Sequence, residues 1–179
     1  HLTQIYAGWL ERLFSEDWTV DPASFEYKTM APNHYLKGLL AESWEFSDPS
    51  TFVVHLRKGI HWQNIPPVNG REFTADDVAF HYHRLFGLGS GFTKPAPYHA
   101  TVASFRELIS VTAIDKYTVV FNWKTANSAF ISETMITNHN PNLAIVAREA
   151  VEKWGDVSDW HHAIGTGPFI LQDFVPNVG

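Results

Sequence analysis

The 179-residue sequence contains no cysteine, which excludes disulfide bonds, cysteine-based zinc sites and thiol nucleophiles together. Basic residues are also few, since 13 Lys and Arg stand against 19 Asp and Glu and give a formal net charge of -6. Without a basic cluster, the electrostatic signature of a nucleic-acid-binding protein is missing. No apolar run approaches the roughly 20 residues that a membrane-spanning helix requires. These shortages exclude nucleic acid as a partner and predict a globular chain.

Aromatic residues, by contrast, are abundant: 13 Phe, 7 Trp and 6 Tyr make up 15% of the chain. Large rings provide apolar area at low entropic cost, so they suit both a hydrophobic core and a ligand cleft. The length predicts one domain with its own core. The sequence begins with His1, and its last residues have the pattern of a strand, so both ends are expected to be cuts in a longer protein.

Hydrophobic spacing predicts strands and helices in alternation. The predicted strands lie at 43–47, 51–57, 108–114, 117–123 and 169–175. The predicted helices lie at 5–14, 74–86, 129–136 and 141–154. The second of these helices has a near capping box from Thr74 to Asp77, and the last has Asn140 at its N-cap. Antiparallel hairpins that alternate with short helices indicate an α+β fold.

No set of residues in the chain has the spacing of a catalytic or metal site. Ten histidines are present, but His81 and His83 lie two positions apart on a predicted helix and face about 200° apart, so they cannot chelate one ion together. None of the ten has the spacing of a known zinc site. Asp76 and Asp77 are explained by capping in a solvent-facing first turn. We therefore expect no catalytic residues, no metal and no other cofactor.

Six short motifs follow one another along nearly the whole chain. They are LAESW at 40–44, LRKGI at 56–60, FTADDV at 73–78, RL at 84–85, IDKYTV at 114–119 and GTGPF at 165–169. In this order and spacing they resemble the family 5 extracellular solute-binding proteins, which are the oligopeptide, dipeptide and nickel receptors of ABC importers. The GTG of the last motif lacks the lysine and third glycine of a phosphate loop, so it is predicted to be a turn into a strand.

The resemblance implies a two-lobed, periplasmic-binding-protein-like fold of type II, in which hinge closure traps the ligand. This chain would be a fragment of the first lobe. Residues 36–137 would form its extra subdomain, and residues 1–35 and 138–179 would form the junction with the core of the lobe. Residues 15–35 and 61–70 are longer than the family's usual connectors, so the ligand class stays open between oligopeptide, dipeptide, nickel chelate and sugar.

The resemblance also implies a non-enzymatic role. A periplasmic or extracellular receptor would capture a peptide or a similar small solute and pass it to the permease subunits of an importer. Its only attachment to the membrane would be a lipid anchor outside this chain. Two loops are expected near the ligand: one carries Phe92 and Tyr98, of which Tyr98 is the better match to a cleft aromatic of the family. The other carries Asn138, His139 and Asn140.

Two other functions stay open at this point. A metal-assisted hydrolase could be built on the histidines and carboxylates, and stoichiometric zinc in the purified protein would indicate it. A ligand-sensing module that regulates a partner could use the same fold, and a fused DNA-binding or signalling domain outside this chain would indicate that function.

Overall fold

The computed structural model of the protein describes residues 8–17, 19, 36–96, 107–126, 143–155, 157 and 159–174. The strands in these ranges are β1 (Phe14–Glu16), β2 (Leu36–Gly38), β3 (Ala41–Asp48), β4 (Thr51–Leu56), β5 (Leu108–Asp115) and β6 (Thr118–Trp123). The helices are α1 (Ala75–Phe86) and α2 (Arg148–Trp154), and a 3-10 turn covers Trp160–His162. Antiparallel strands with separate helices confirm the predicted α+β class.

Four of the described strands form one antiparallel sheet in the order β3-β4-β6-β5. Asp48 closes the β3–β4 turn, because its Oδ1 accepts from the backbone N and the Oγ of Ser50, at 2.8 Å each. Asp115 closes the β5–β6 turn in the same manner by accepting from the backbone N of Tyr117 at 2.8 Å. Both predicted hairpins are therefore confirmed.

Helix α1 packs across β5 and β6 and covers one face of the sheet. Its buried stripe includes Val78, Tyr82 and Leu85, and the ring of Tyr82 meets that of Phe121 edge-on at 5.0 Å. Alternate residues of β4 and β6 point into the same core. We call β3 to β6 together with α1 the sheet unit.

The ends of α1 lie where the sequence predicts them. Thr74 and Asp77 form a capping box, in which each side chain accepts from the backbone of the other residue. Gly87 ends the helix in the left-handed region, with φ at 70°, and its N–H donates to the carbonyl of His83 at 2.8 Å.

The first described segment contains no α-helix, and the helix predicted over 5–14 is wrong for the part that can be compared. Phe14 begins β1, which pairs antiparallel with β2. Upstream of it, the carbonyls of Glu11 and Leu13 accept from the distant backbone N–H groups of Ile145 and Leu39, at 3.0 and 2.9 Å. The apolar residues are buried as the spacing suggested, but tertiary backbone pairing overrides the helical pattern.

Two further predictions near the end of the chain need correction. Helix α2 begins at Arg148 rather than at residue 141, and Ala144 and Ala147 are buried residues that precede it. Residues 169–174 belong to no strand, although one was predicted there. The predicted helix at 129–136 lies outside the described residues. Within the described ranges, no helix has the length and apolar character needed to cross a membrane.

Candidate functional site

Three distant segments meet at one place beside the sheet unit: residues 8–10, residues 61–63 and residues 165–169. We call this place the junction. Residues 165–169 lie between the other two segments and hydrogen-bond to both. On one side, the N–H of Gly167 donates to the carbonyl of Trp9, and the N–H of Phe169 donates to the carbonyl of Gly8, at 3.0 Å each.

The two glycines of the GTGPF motif are needed because backbone approaches backbone here. A Cβ on Gly165 would lie 1.6 Å from the carbonyl oxygen of Trp9, and a Cβ on Gly167 would lie 2.7 Å from that of Gly8. Neither contact is possible for a side-chain carbon, so only glycine fits at these positions. The motif is therefore a close-packing element rather than the entry to a strand.

On the other side, Gln63 binds the same segment through both its backbone and its side chain. Its N–H donates to the carbonyl of Gly165 at 2.9 Å, and its Oε1 accepts from the N–H of Gly165 at 3.2 Å. Its Nε2 donates to the carbonyls of Gly167 and Phe169, at 3.1 and 2.6 Å. Gln63 is only 9% exposed, and its side-chain bonds to Gly165 and Gly167 are buried.

An ionic cluster lies where the loop that contains Gln63 returns to α1. Arg71 donates to both carboxylate oxygens of Asp77, at 2.8 and 2.6 Å, and also binds the Glu149 carboxylate of α2 through Nε and Nη2. We call these three residues the ionic triad. It joins the sheet unit to α2 with the paired geometry that guanidinium and carboxylate groups favour.

The charges of the ionic triad are mutually supported. Burial alone would lower the pKa of Arg71, but its bonds to Asp77 and Glu149 outweigh that effect and raise it. Burial would likewise raise the pKa of Glu149, yet the hydrogen bonds from Arg71 hold it below the ordinary range. Asp77 is 3% exposed, so the expectation that it faces solvent is wrong. It accepts from the indole Nε1 of Trp62 as well, at 3.3 Å.

A second polar cluster, which we call the Glu72 hub, lies at the end of the sheet unit. The Glu72 carboxylate accepts from the Nζ of Lys116 at 2.6 Å, the hydroxyl of Tyr117 at 2.7 Å and the N–H of Gly59 at 3.2 Å. These bonds, that from Lys116 first, lower the pKa of Glu72 from 4.5 to about 2. The hub fixes the β5–β6 turn against the residues that follow β4.

Of the residues predicted near the ligand, Phe92 is the one that the structure describes. Its half-buried ring packs edge-on against Phe80 at 5.7 Å, in a small cluster that includes Val146 and Val151. This contact brings the first predicted loop to α2 and the residues before it. Tyr98, Asn138, His139 and Asn140 lie outside the described residues, so their predicted contacts stay predictions.

The described histidines have local structural contacts. His81 is buried, at 2% exposure, and its ring meets that of Tyr82 edge-on at 5.2 Å. His83 bonds to the hydroxyl of Ser90 at 2.9 Å and to the carbonyl of Val111 at 2.7 Å. In the part of the chain that the structure describes, no group of three or more His, Asp or Glu side chains could hold a metal ion.

Sequence reasoning missed the two residues that organise this region, Gln63 and Arg71. Their partners lie 102 to 106 positions away for the side chain of Gln63, and 78 positions away for the Arg71–Glu149 pair. A glutamine and an arginine in a loop carry no periodic pattern. The available signal was the GTGPF motif, whose glycines require a close backbone neighbour.

The model of the bacterial extracellular solute-binding proteins, family 5 (middle), matches residues 36–179. Di/tripeptide-binding protein 1 of Pseudomonas aeruginosa (strain UCBPP-PA14) is 32% identical over 142 residues, which cover 75% of this chain and 26% of that protein. The dipeptide-binding protein of Escherichia coli (strain K12) is 30% identical over 187 residues, which cover 93% and 33%. This chain thus spans about a quarter to a third of the length of these curated relatives.

A solved structure gives the same result for the fold. The dipeptide binding protein from Pseudoalteromonas sp. SM9913, in complex with Met-Leu, superposes with a TM-score of 0.67 at 24% identity, over 97% of this chain and 33% of that one. This likeness confirms the expected periplasmic-binding-protein-like fold. With the family model matching most of its length, the chain belongs to the family 5 bacterial extracellular solute-binding proteins.

Proposed function

We propose that this chain is part of the receptor of an ABC importer, which captures a peptide or a similar small solute between two lobes and delivers it to permease subunits. The observation that carries the proposal is the similarity to di/tripeptide- and dipeptide-binding proteins over 75% to 93% of the chain. The receptor would act in the periplasm or outside the cell, held to the membrane by a lipid anchor outside this chain.

The proposal assigns residues 36–137 to the extra subdomain of the first lobe, and residues 1–35 and 138–179 to its junction with the core of the lobe. The contact pattern supports this division. The strands of the sheet unit all lie between Ala41 and Trp123, whereas residues 8–11 bond to Ile145, Gly167 and Phe169.

Ligand contacts are proposed for Phe92 and Tyr98 in the first loop, and for Asn138, His139 and Asn140 in the second. The packing of Phe92 in the cluster with Val146 supports a close approach of the two loops, because Val146 follows Asn140 by six positions. Aromatic and amide side chains are suited to a peptide, since rings contact apolar side chains and amides bond to peptide groups.

The role would be binding without catalysis. Asp77 and Glu72 are the acidic residues at the centre of the two polar clusters. Each forms an ion pair and hydrogen bonds with neighbouring chain segments. A general acid or base needs a carboxyl group free to exchange a proton with substrate. The carboxylates of Asp77 and Glu72 do not meet this requirement, which favours a receptor over a hydrolase built on these two residues.

Thermal unfolding of the full-length protein with a panel of dipeptides, tripeptides, longer peptides and oligosaccharides tests this function. A ligand at 100 times its Kd adds about 2.7 kcal/mol to the folded state, so a true ligand raises the Tm by several degrees. Chromatography of the same mixtures shows whether the ligand is recovered intact. Cleavage of a peptide, or stoichiometric zinc in the purified protein, would instead indicate the metal-assisted hydrolase.

The sensing function predicts a different result from the same protein. Ligand binding would then change its affinity for a regulatory partner, and no importer permease would bind it. Pull-down with the permease subunits, in the presence and absence of the stabilising ligand, separates the two functions.

A further inference from the structure

We propose that Gln63 is a positioning residue for solute binding. Its amide holds residues 165–169 against residues 8–10 and so fixes the sheet unit relative to the chain segments on either side of it. This inference rests on the proposed receptor function, because it assigns the junction a part in shaping the ligand cleft.

The side chain of Gln63 matches its surroundings group by group. Its Oε1 meets one N–H donor, that of Gly165, and its two Nε2 protons meet two carbonyl acceptors, those of Gly167 and Phe169. Rotating the amide by 180° would place oxygen against two carbonyls, so the neighbours determine its orientation. Glutamate would keep the acceptor and lose both donors.

Hydrogen bonds, rather than apolar burial, determine the position of the end of this segment. Phe169 is 69% exposed and Ile170 is 52% exposed, so neither side chain anchors the backbone in the described core. The Phe169 backbone nevertheless bonds on both sides, to the carbonyl of Gly8 through N–H and to Gln63 through its own carbonyl. Removal of the Gln63 amide therefore leaves the backbone bond from the Gln63 N–H to the carbonyl of Gly165, and releases the carbonyls of Gly167 and Phe169 on this side.

Gln63 is itself held firmly, which a positioning residue requires. Its carbonyl accepts from the N–H groups of Ile65 and Gly70, at 2.8 and 3.3 Å. The preceding residue, Trp62, is 2% exposed, and its ring packs edge-on against Phe73 at 5.8 Å. Movement of residues 165–169 is thereby resisted by the core of the sheet unit.

The test compares Gln63→Met and Gln63→Glu with Val68→Ala in the full-length protein. Val68 lies in the same loop and is 4% exposed, and its backbone bonds to Ile65 and Arg71, so its truncation weakens packing and leaves the hydrogen bonds of Gln63 in place. Hydrogen exchange is measured at the amides of Gly165, Gly167 and Phe169. Affinity is measured by calorimetry with a defined pool of di- and tripeptides, Met-Leu included, well below the Tm of each variant.

We expect exchange at these amides to rise about tenfold or more in both Gln63 variants, because both leave the carbonyls of Gly167 and Phe169 without the Gln63 donor. Peptide affinity should fall by a similar factor. In Val68→Ala the Tm falls, while local exchange and affinity stay at the wild-type values.

Unchanged exchange in the Gln63 variants overturns the proposal. Raised exchange with wild-type peptide affinity also overturns it, because Gln63 would then have only a structural role. A wild-type protein that binds none of the peptides refutes the receptor function itself, while the exchange measurement still decides whether Gln63 holds the segment.

Discussion

Arg71 and Glu72 are neighbours in sequence, yet they organise networks of different reach. The ionic triad of Arg71 extends from Asp77 in α1 to Glu149 in α2, and so crosses from the sheet unit to a residue 78 positions after Arg71. The Glu72 hub joins groups within the span of the sheet unit. Arg71 therefore connects the sheet unit to α2, whereas Glu72 fixes the β5–β6 turn.

The two networks also differ in burial, and this difference decides their energetic weight. Asp77 is 3% exposed, whereas the Lys116 side chain that pairs with Glu72 is 54% exposed. A buried charge depends strongly on its partner because removal of the partner leaves it desolvated and uncompensated. An exposed pair is screened by solvent and contributes little.

The largest effect is expected for Arg71→Met, which leaves Asp77 buried without its cation. The free energy of unfolding should fall by about 3–5 kcal/mol, as measured by urea denaturation of the full-length protein with tryptophan fluorescence as the probe. The double variant Arg71→Met/Asp77→Asn should recover part of this loss. A loss below about 1 kcal/mol for the single variant would refute the importance given to the ionic triad.

Glu149→Gln removes the connection to α2 and keeps the Arg71–Asp77 pair. The free energy of unfolding should fall by about 1 kcal/mol, because the Glu149 side chain is partly exposed and its charge-assisted bonds are replaced by weaker ones. Hydrogen exchange should become faster in α2 and stay unchanged in β4 and β6. Equally faster hydrogen exchange in β4 and β6 would mean that Glu149 does not act specifically on α2.

Glu72→Gln tests the hub through its pH dependence. The pKa of Glu72 is lowered in the folded state from 4.5 to about 2, so its contribution is complete above pH 4.5 and is lost as the pH falls toward 2. The Tm of the wild type should therefore fall more steeply across this range than the Tm of the variant. Parallel curves of Tm against pH for the two proteins would contradict a stabilising role for the Glu72 carboxylate.

Arg148→Ala should have the smallest effect. Arg148 pairs with Glu152 on the exposed side of α2, where the two side chains are 59% and 53% exposed. The expected change in the free energy of unfolding is within about 0.5 kcal/mol. This variant is the control for Arg71→Met, because both remove an arginine that is paired with a carboxylate.

The elements that depend on local sequence were predicted correctly. The capping box that begins at Thr74, the stop at Gly87 and the alternation along β4 and β6 are all signals contained within a few residues. The resemblance in six ordered motifs also led to the right family. Local signals were sufficient for the two hairpins, β3–β4 and β5–β6, whereas the β4–β6 pairing that joins them links distant residues such as Thr51 and Asn122.

The junction could not be predicted, because its contacts join residues far apart in sequence. Trp9 and Leu13 have helical spacing, but their carbonyls bond to residues about 158 and 26 positions away, a preference that no local pattern encodes. Asp77 was expected to face solvent because of its place in the first turn of a helix. Its burial depends on Trp62 and Arg71, which come from the preceding loop and could not be placed from local sequence. The predicted ligand residues other than Phe92 lie outside the described ranges and stay predictions.

Isothermal titration of the full-length protein with di- and tripeptides tests the receptor function most directly. We expect saturable binding of one peptide per protein, with a negative heat-capacity change from the burial of apolar surface in a closing cleft. The peptide should be recovered intact after the titration. No binding of any peptide, together with peptide cleavage by the same preparation, would contradict the receptor function.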